Sequence, residues 1–370
     1  MIKHDHQLVL PDYTGPCLSA LIPALLGPQS TRDLPEWFPQ EARDARAVVM
    51  LVLDGLGYLQ WQRDREFTPA LTSCSVASLT TVAPSTTATA LTSLTTGLSP
   101  GEHGIIGYRM DMGSTVMNTL RWGDANSDLR LRFPPQQVQA CPPFLGASVP
   151  VISRAELEGS GFTQAHLAGV KHRGWRAASS IAVTVKQCLD DGDSFVYAYY
   201  DGVDKIAHER GFGAFYEAEL RAADAIVAEI ISILPTDTVL LVTADHGQVM
   251  VGDNTLSVDV SVSEHVHHQS GEGRFRWLHA KRGRDEALLD AASVHKDVAW
   301  VVPRDLVIDE HWFGSRVSND AMRRMGEVAL VPFAPVSFDD PADTGAFPLV
   351  CRHGSLTEEE MYIPLFAHRR

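Results

Sequence analysis

The chain has 370 residues, is 45% apolar and 21% charged, and carries a formal charge of −15. That length holds one large domain, or a domain with a sizeable insertion, and the acidic balance argues against general affinity for nucleic acid or an anionic membrane. Five scattered cysteines with no CxxC pair argue against a disulfide framework, and no basic region leads into a long apolar run, so the expectation is a cytoplasmic protein with no membrane span.

Residues 1–45 read as a lead-in in which LPDYTGPCLSALIPALLG, residues 10–27, forms a short helix packed on the core. The apolar run Val48 to Leu53 then enters Asp54 and a glycine turn. A continuous apolar run bounded by turn residues predicts a strand buried on both faces. Its Asp54 then emerges at the C-terminal edge, where open α/β sheets bind ligands. Residues 60–69 are polar and read as surface. Thr87 to Thr96, closed by Gly97, reads as a helix with Ser85 near its N-cap. From Asp111 to about Ser180 the periodicity fades, and part of that stretch reads as a lid or wall. Within it, Val149 to Ile152 is a short strand, and Ala177 to Leu189 a helix. Ser194 to Tyr200 and Thr238 to Thr243 are further buried strands, ending at Asp201 and Asp245. Between them, Leu220, Ala223, Val227, Ile230 and Leu234 mark an amphipathic helix. Strands alternating with helices predict an α/β fold with a mostly parallel central sheet sandwiched by helices. A smaller inserted α+β region runs from about 251 to 345. Its Arg274, Arg276, Lys281, Arg282 and Arg284 read as a solvated basic face, or as a phosphate-binding patch.

The residues that can carry chemistry gather at the strand ends. Asp204 and His208 are four residues apart, so one helix face carries both, a plausible half-site for a divalent metal. Asp201 competes with Asp204 for that role. Asp245-His246-Gly247 puts two ligand types at the end of a buried strand, and His353-Gly354 follows another apolar run. In Pro84-Ser85-Thr86-Thr87 a hydroxyl sits at a helix N-terminus, where free backbone N–H groups favour an anion. A threonine hydroxyl on a divalent cation can lose its proton near neutral pH and become a nucleophile.

Together these fragments resemble the alkaline phosphatase superfamily, closest to its nucleotide pyrophosphatase/phosphodiesterase branch. Asp54 in LVLDGLG matches the first metal-binding Asp. Thr87, ahead of TTGLSPGEHGII, matches the nucleophile. Asp204 and His208 in DKIAHERG match the D-x-x-G-H-x-x-G motif, with Ala207 in place of the usual glycine. Asp245 and His246 in TADHG match the S/T-D-H-G motif, and His353 in RHG the last metal-binding His. That chain order favours Asp204 over Asp201. The resemblance implies one alkaline phosphatase-like catalytic domain over 1–370, with a lid-like segment at about 111–180. It implies two divalent ions, zinc in the first place and manganese as the other option. Asp54, Asp245 and His246 would hold one, beside Thr87, and Asp204, His208 and His353 the other. It also implies a small-molecule phosphoester substrate and a phospho-threonine intermediate.

One position departs from the pattern. Tyr108 in GIIGYRM stands where the family diesterases commonly carry an Asn that contacts a phosphoryl oxygen. Tyr108, Arg109 and Asn118 are the candidate substrate-binding residues. Phosphodiester or pyrophosphate cleavage is thus the expectation. A phosphomonoesterase or phosphonate hydrolase of the same superfamily, and a non-catalytic metal-binding homologue, are the alternatives. PSTTAT lacks the C/S-x-P-x-R context of a sulfatase. The sequence does not specify the oligomeric state.

Overall fold

The computed structural model describes residues 7–28, 33–343 and 349–370. Parts of the lead-in and the end of the inserted region fall outside them. Apolar runs bounded by turns give the strands of a seven-stranded central sheet. Its parallel part comprises Thr238–Thr243, Ala47–Leu53, Phe195–Tyr200, Pro150–Ile152 and Lys171–His172, in that spatial order. Every residue of Ala47–Leu53 is buried, as expected for a central strand covered on both faces. The strand Tyr362–Arg369 joins antiparallel beside Thr238–Thr243 and is flanked in turn by Ser75–Thr80. The helix Ala214–Ile233 packs its Leu220, Ala223, Val227 and Ile230 inward, on the predicted spacing.

Register explains why the carboxylates meet. Leu53 lies opposite Tyr200, and Val52 opposite Thr243. Asp54, Asp201 and Asp245 therefore leave the sheet at one edge. The helix Gly202–Arg210 starts there and presents Asp204 and His208 on one face. A two-residue antiparallel pairing of Cys351–Arg352 with Val249–Met250 brings His353 back beside the His246 loop.

The inserted region forms a four-stranded antiparallel sheet from Val266–Glu272, Phe275–Ala280, Val328–Pro332 and Ala299–Pro303. Side chains alternate across it. Trp277, Ala329 and Val331 join the main core, while Leu278, Val328 and Leu330 join a separate small core with Leu288 of the helix Asp285–Ala292. The 111–180 stretch divides. Pro150–Ile152 and Lys171–His172 extend the central sheet, and Leu120, Leu157 and Phe162 wall a cavity.

Three readings need correction. Residues 60–69 are not simply surface: Tyr58–Asp64 is a helix with Gln60 and Trp61 buried. Gln60 Nε2 donates to the carbonyls of Gln248 and Glu359, at 2.7 and 3.1 Å, an interior use for a polar side chain. Thr86, not Ser85, is the N-cap of the helix Thr87–Thr96. Arg274 and Arg276 are fully buried rather than part of a solvated face. Arg274 makes a bidentate pair with Glu360, at 2.7 and 2.8 Å, and donates to the carbonyls of Ala334, Val336 and Pro332. Burying a guanidinium demands that its donors be met, and here carboxylate and carbonyls meet them.

Among the described residues no helix is long and apolar enough to cross a membrane. All five cysteines are unpaired.

Candidate active site

The helix Thr87–Thr96 is buried along its whole length, an unfavourable setting for so many threonines. Back-bonding resolves part of it. Thr92, Thr95 and Thr96 donate to the carbonyls of Ala88, Leu91 and Thr92 at 2.6–2.9 Å. Gly97 takes the left-handed conformation that ends the helix, with φ 71°. Thr87 occupies the first helical position. Its Oγ1 lies 3.1 Å from His246 Nε2.

His246 Nε2 is also 3.4 Å from Asp54 Oδ1 and 3.5 Å from Asp245 Oδ2. His208 Nε2 and His353 Nε2 lie 3.3 and 3.9 Å from Asp204 Oδ1. The rings of His246 and His353 stack with centroids 3.6 Å apart. The structure thus brings Thr87, Asp54, Asp204, His208, Asp245, His246 and His353 into one cluster. Asp204 bridges its halves, being close enough to share an ion with Asp54 and His246 or with His208 and His353. Asp201 turns away to Arg154 and Lys205, at 2.8 and 2.5 Å.

Each ligand candidate is oriented from behind. The Nδ1 atoms of His208, His246 and His353 lie 2.6, 3.0 and 2.9 Å from the carbonyls of Cys351, Gly247 and Ser85. With Nδ1–H donating to a carbonyl, Nε2 presents a lone pair to the cluster, the arrangement that fixes metal-ligating imidazoles. Ser85, displaced from the cap role, accepts from Gly354 N–H and donates to the Ser355 carbonyl, so it holds the His353 loop. Asp245 Oδ1 accepts from the N–H groups of Gly55 and His246, both at 3.1 Å. Gly55 needs its φ of 74°, and a Cβ there would lie 2.4 Å from Gln248 Nε2.

The electrostatics are those of a site built for cations. Asp54 Oδ1 and Asp245 Oδ2 are buried and find no hydrogen-bond partner among the described residues. Burial, then the neighbouring Asp245 and Asp204 carboxylates, push Asp54 well above the usual carboxylate range. Burial likewise raises Asp204. Burial, then the facing His246 and His208 rings, hold His353 well below the usual imidazole range. Stranded carboxylate oxygens beside imidazole nitrogens are the donor set that divalent metals take.

Two cavities flank Thr87 and Asp204. The larger, about 580 Å³, is polar and lined by Tyr108, Arg121, Glu272, Arg276 and Arg352. The smaller, about 250 Å³, is lined by Leu91, Leu157, Phe162 and Tyr197. Of the three candidate substrate-binding residues, Tyr108 faces the larger cavity, while Asn118 Oδ1 accepts from the Arg121 N–H at 3.0 Å. Arg109 does not line either cavity, being drawn off to the Asp340 carboxylate and the Ala342 carbonyl.

Several site residues escape sequence reasoning. Tyr199 donates to Asp54 Oδ2, and Gln248 Nε2 to Asp204 Oδ1 at 2.9 Å. Tyr199 had a signal, because its strand alternates and ends beside Asp54. Glu272 lines the larger cavity with its Oε2 4.0 Å from His353 Nδ1, from a hairpin with no local motif. Trp122 is wholly buried, with its indole N–H on the Phe133 carbonyl, and packs the core.

A search of curated protein sequences returned no match. Among solved structures, a murine ectonucleotide pyrophosphatase/phosphodiesterase 5, an inactive variant in complex with AMP, superposes with TM-score 0.65 at 15% identity over 88% of each chain. The human protein of the same name gives TM-score 0.66 at 13% identity, over 87% of this chain and 88% of its own. Phosphonoacetate hydrolase from Sinorhizobium meliloti 1021, in complex with phosphonoformate, gives 0.62 at 17% identity, over 88% of this chain and 90% of its own. These likenesses establish an alkaline phosphatase-like fold. The model of the type I phosphodiesterase / nucleotide pyrophosphatase family matches residues 48–174 and 169–344. With the metal-ligand candidates converging on Thr87, the chain belongs to that family.

Proposed function

We propose that this protein is a two-metal hydrolase of phosphodiester or pyrophosphate bonds in nucleotides or related small molecules. The observation that carries this reading is the position of Thr87 Oγ1, 3.1 Å from His246 Nε2, at a helix N-terminus and beside stranded carboxylate oxygens. Asp54, Asp245 and His246 would hold one ion and Asp204, His208 and His353 the other. Zinc suits this nitrogen and oxygen set, and manganese is the alternative. When bound, such a pair supplies positive charge to the attacking and leaving oxygens and acidifies a hydroxyl beside it.

The chain's own residues do the rest. The Thr87 hydroxyl gives up its proton to solvent, and Oγ1 bonds to phosphorus as the bond to the leaving group breaks. The departing oxygen takes a proton from solvent. Free N–H groups of the first helical turn point at the non-bridging oxygens. Water then displaces Oγ1 from phosphorus, restoring Thr87 and releasing a phosphate monoester. Two cavities on either side of Thr87 give each substituent of a diester its own space, which favours diesters over monoesters. Each accepts a different chemistry, polar on one side and largely apolar on the other. We treat residues 1–370 as one catalytic domain, in which the inserted sheet shapes the larger cavity. Unpaired cysteines suit the cytoplasmic location proposed from the sequence.

The test compares bis(para-nitrophenyl) phosphate, para-nitrophenyl phosphate and thymidine 5′-monophosphate para-nitrophenyl ester, with zinc and after chelation. Metal-dependent turnover with higher kcat/KM on the diesters is expected. Tyr108 favours a second reading, a phosphonate hydrolase or monoesterase, because it replaces the amide expected near a diester phosphoryl oxygen. Preference for the monoester would select that reading. A Tyr108→Phe variant with unchanged kinetics would remove its hydroxyl from substrate contact. Metal binding without turnover of any ester or phosphonate would leave the non-catalytic homologue.

A further inference from the structure

A second carboxylate–imidazole cluster lies apart from Thr87. The strand Arg109–Asp111 meets the hairpin of Val266–Glu272 and Phe275–Ala280, and Asp111, His268 and His279 converge. His268 Nε2 is 3.1 Å and His279 Nδ1 3.5 Å from one oxygen, Asp111 Oδ2. Ligands bound at about 2.0–2.1 Å around tetrahedral zinc stand roughly 3.3–3.4 Å apart. A carboxylate–imidazole hydrogen bond needs one ring, whereas here two rings share one oxygen.

Each donor is also turned inward from behind. Gly113 N–H donates to Asp111 Oδ1 at 2.7 Å, which leaves Oδ2 for the cluster. His279 Nε2 lies 2.8 Å from Ser270 Oγ, which leaves Nδ1. His268 Nδ1 lies 2.8 Å from His267 Nδ1, which leaves Nε2. Among the described residues His268 Nε2 has no hydrogen-bonding partner other than Asp111. This is the outer-shell pattern that orients metal ligands. Of the three, His268 lines a hollow of about 540 Å³ together with Thr115, Asp124 and His267, which gives water access to its ring.

We propose that Asp111, His268 and His279 bind a divalent ion of the zinc class at a site separate from the Thr87 cluster. The ion ties the 109–111 strand to the inserted sheet. Those two elements adjoin Tyr108 and end in Glu272, and both residues face the larger cavity. The ion is therefore a clamp on the cavity wall and takes no part in the chemistry.

The experiment is a zinc count per chain after loading and dialysis, with an anomalous difference map at the zinc edge from crystals grown with zinc. A peak between Asp111, His268 and His279 is expected. His268→Ala, at a ring 31% exposed and so safe for folding, should lose one zinc per chain. Asp111→Asn should lose the same ion. Unchanged counts in both variants, or no peak at this position, overturn the proposal. The Thr87 cluster appears separately in the same map, so this site can stand while the two-metal reading falls, or the reverse.

Discussion

The two walls of the larger cavity follow opposite rules. On one side is the edge of a parallel sheet, where Ala47–Leu53, Phe195–Tyr200 and Thr238–Thr243 are buried throughout and Asp54, Asp201 and Asp245 follow at their ends. On the other is an antiparallel insertion, whose polar groups sit inside the protein as pairs and networks. The first wall holds the groups that would meet phosphorus. The second supplies Glu272 and Arg276, and through Arg274–Glu360 it is bolted to the chain just past His353. Reactive groups come from the rigid edge, while shape and charge come from the insertion.

The largest effect expected lies on the sheet-edge wall. Thr87→Ala should lower kcat on the best substrate by about 10⁴-fold or more while leaving metal content and melting temperature near wild type. A loss under tenfold would sink Thr87 as nucleophile. The insertion wall should answer in stability instead. Arg274→Ala leaves Glu360 buried and unpaired and should cost about 3–5 kcal/mol in urea unfolding. Replacing both partners by apolar residues, Arg274→Met with Glu360→Leu, should recover only part of that cost, because the Ala334, Val336 and Pro332 carbonyls and the Ser355 N–H lose their partners. If the single variant lost less than about 1 kcal/mol, the pair would not be an anchor.

Within the sheet edge, Asp204→Asn should weaken metal binding by on the order of 100-fold, beyond or at the top of what outer-shell losses give. Asp201→Asn, at a carboxylate paired with Arg154 and Lys205, should leave metal affinity near wild type. Equal metal affinities by equilibrium dialysis would erase the distinction between the two aspartates. The last effect, one of pH, concerns Glu272. Burial pushes its carboxyl up from 4.5 to about 8. The folded, metal-free protein therefore holds a proton that the unfolded chain has released, and stability falls as pH rises from 4.5 to 8. The slope from one group is at most about 1.4 kcal/mol per pH unit. Glu272→Gln should flatten it, and an unaltered slope would place Glu272 among ionised groups.

Legibility followed the same division. Val48 to Leu53 declared itself because a strand covered on both faces must be apolar throughout, and Asp54 then marks the edge. Asp204 and His208 share a helix face that spacing alone reveals. Arg274 and Arg276 misled because arginine is ordinarily a surface residue, and nothing nearby in the sequence announces Glu360. Gln60 hid for a related reason: a buried amide is invisible until the carbonyls it serves are placed. Ser85 was close to a cap position, but its hydroxyl is engaged by a loop from the far end of the chain. Asp111 and His268 lie far apart in sequence, so no period or motif connects them.

His353 and the strand Tyr362–Arg369 have a consequence for synthesis. That strand sits inside the central sheet, between Ser75–Thr80 and Thr238–Thr243, yet it is translated after both. A nascent chain can carry Thr87, Asp54 and His246 outside the ribosome while its sheet is still missing an interior strand and its cluster a ligand. The first members of the cluster are made early and the last of them late, so the cluster is complete only after His353 and the sheet only after Tyr362–Arg369.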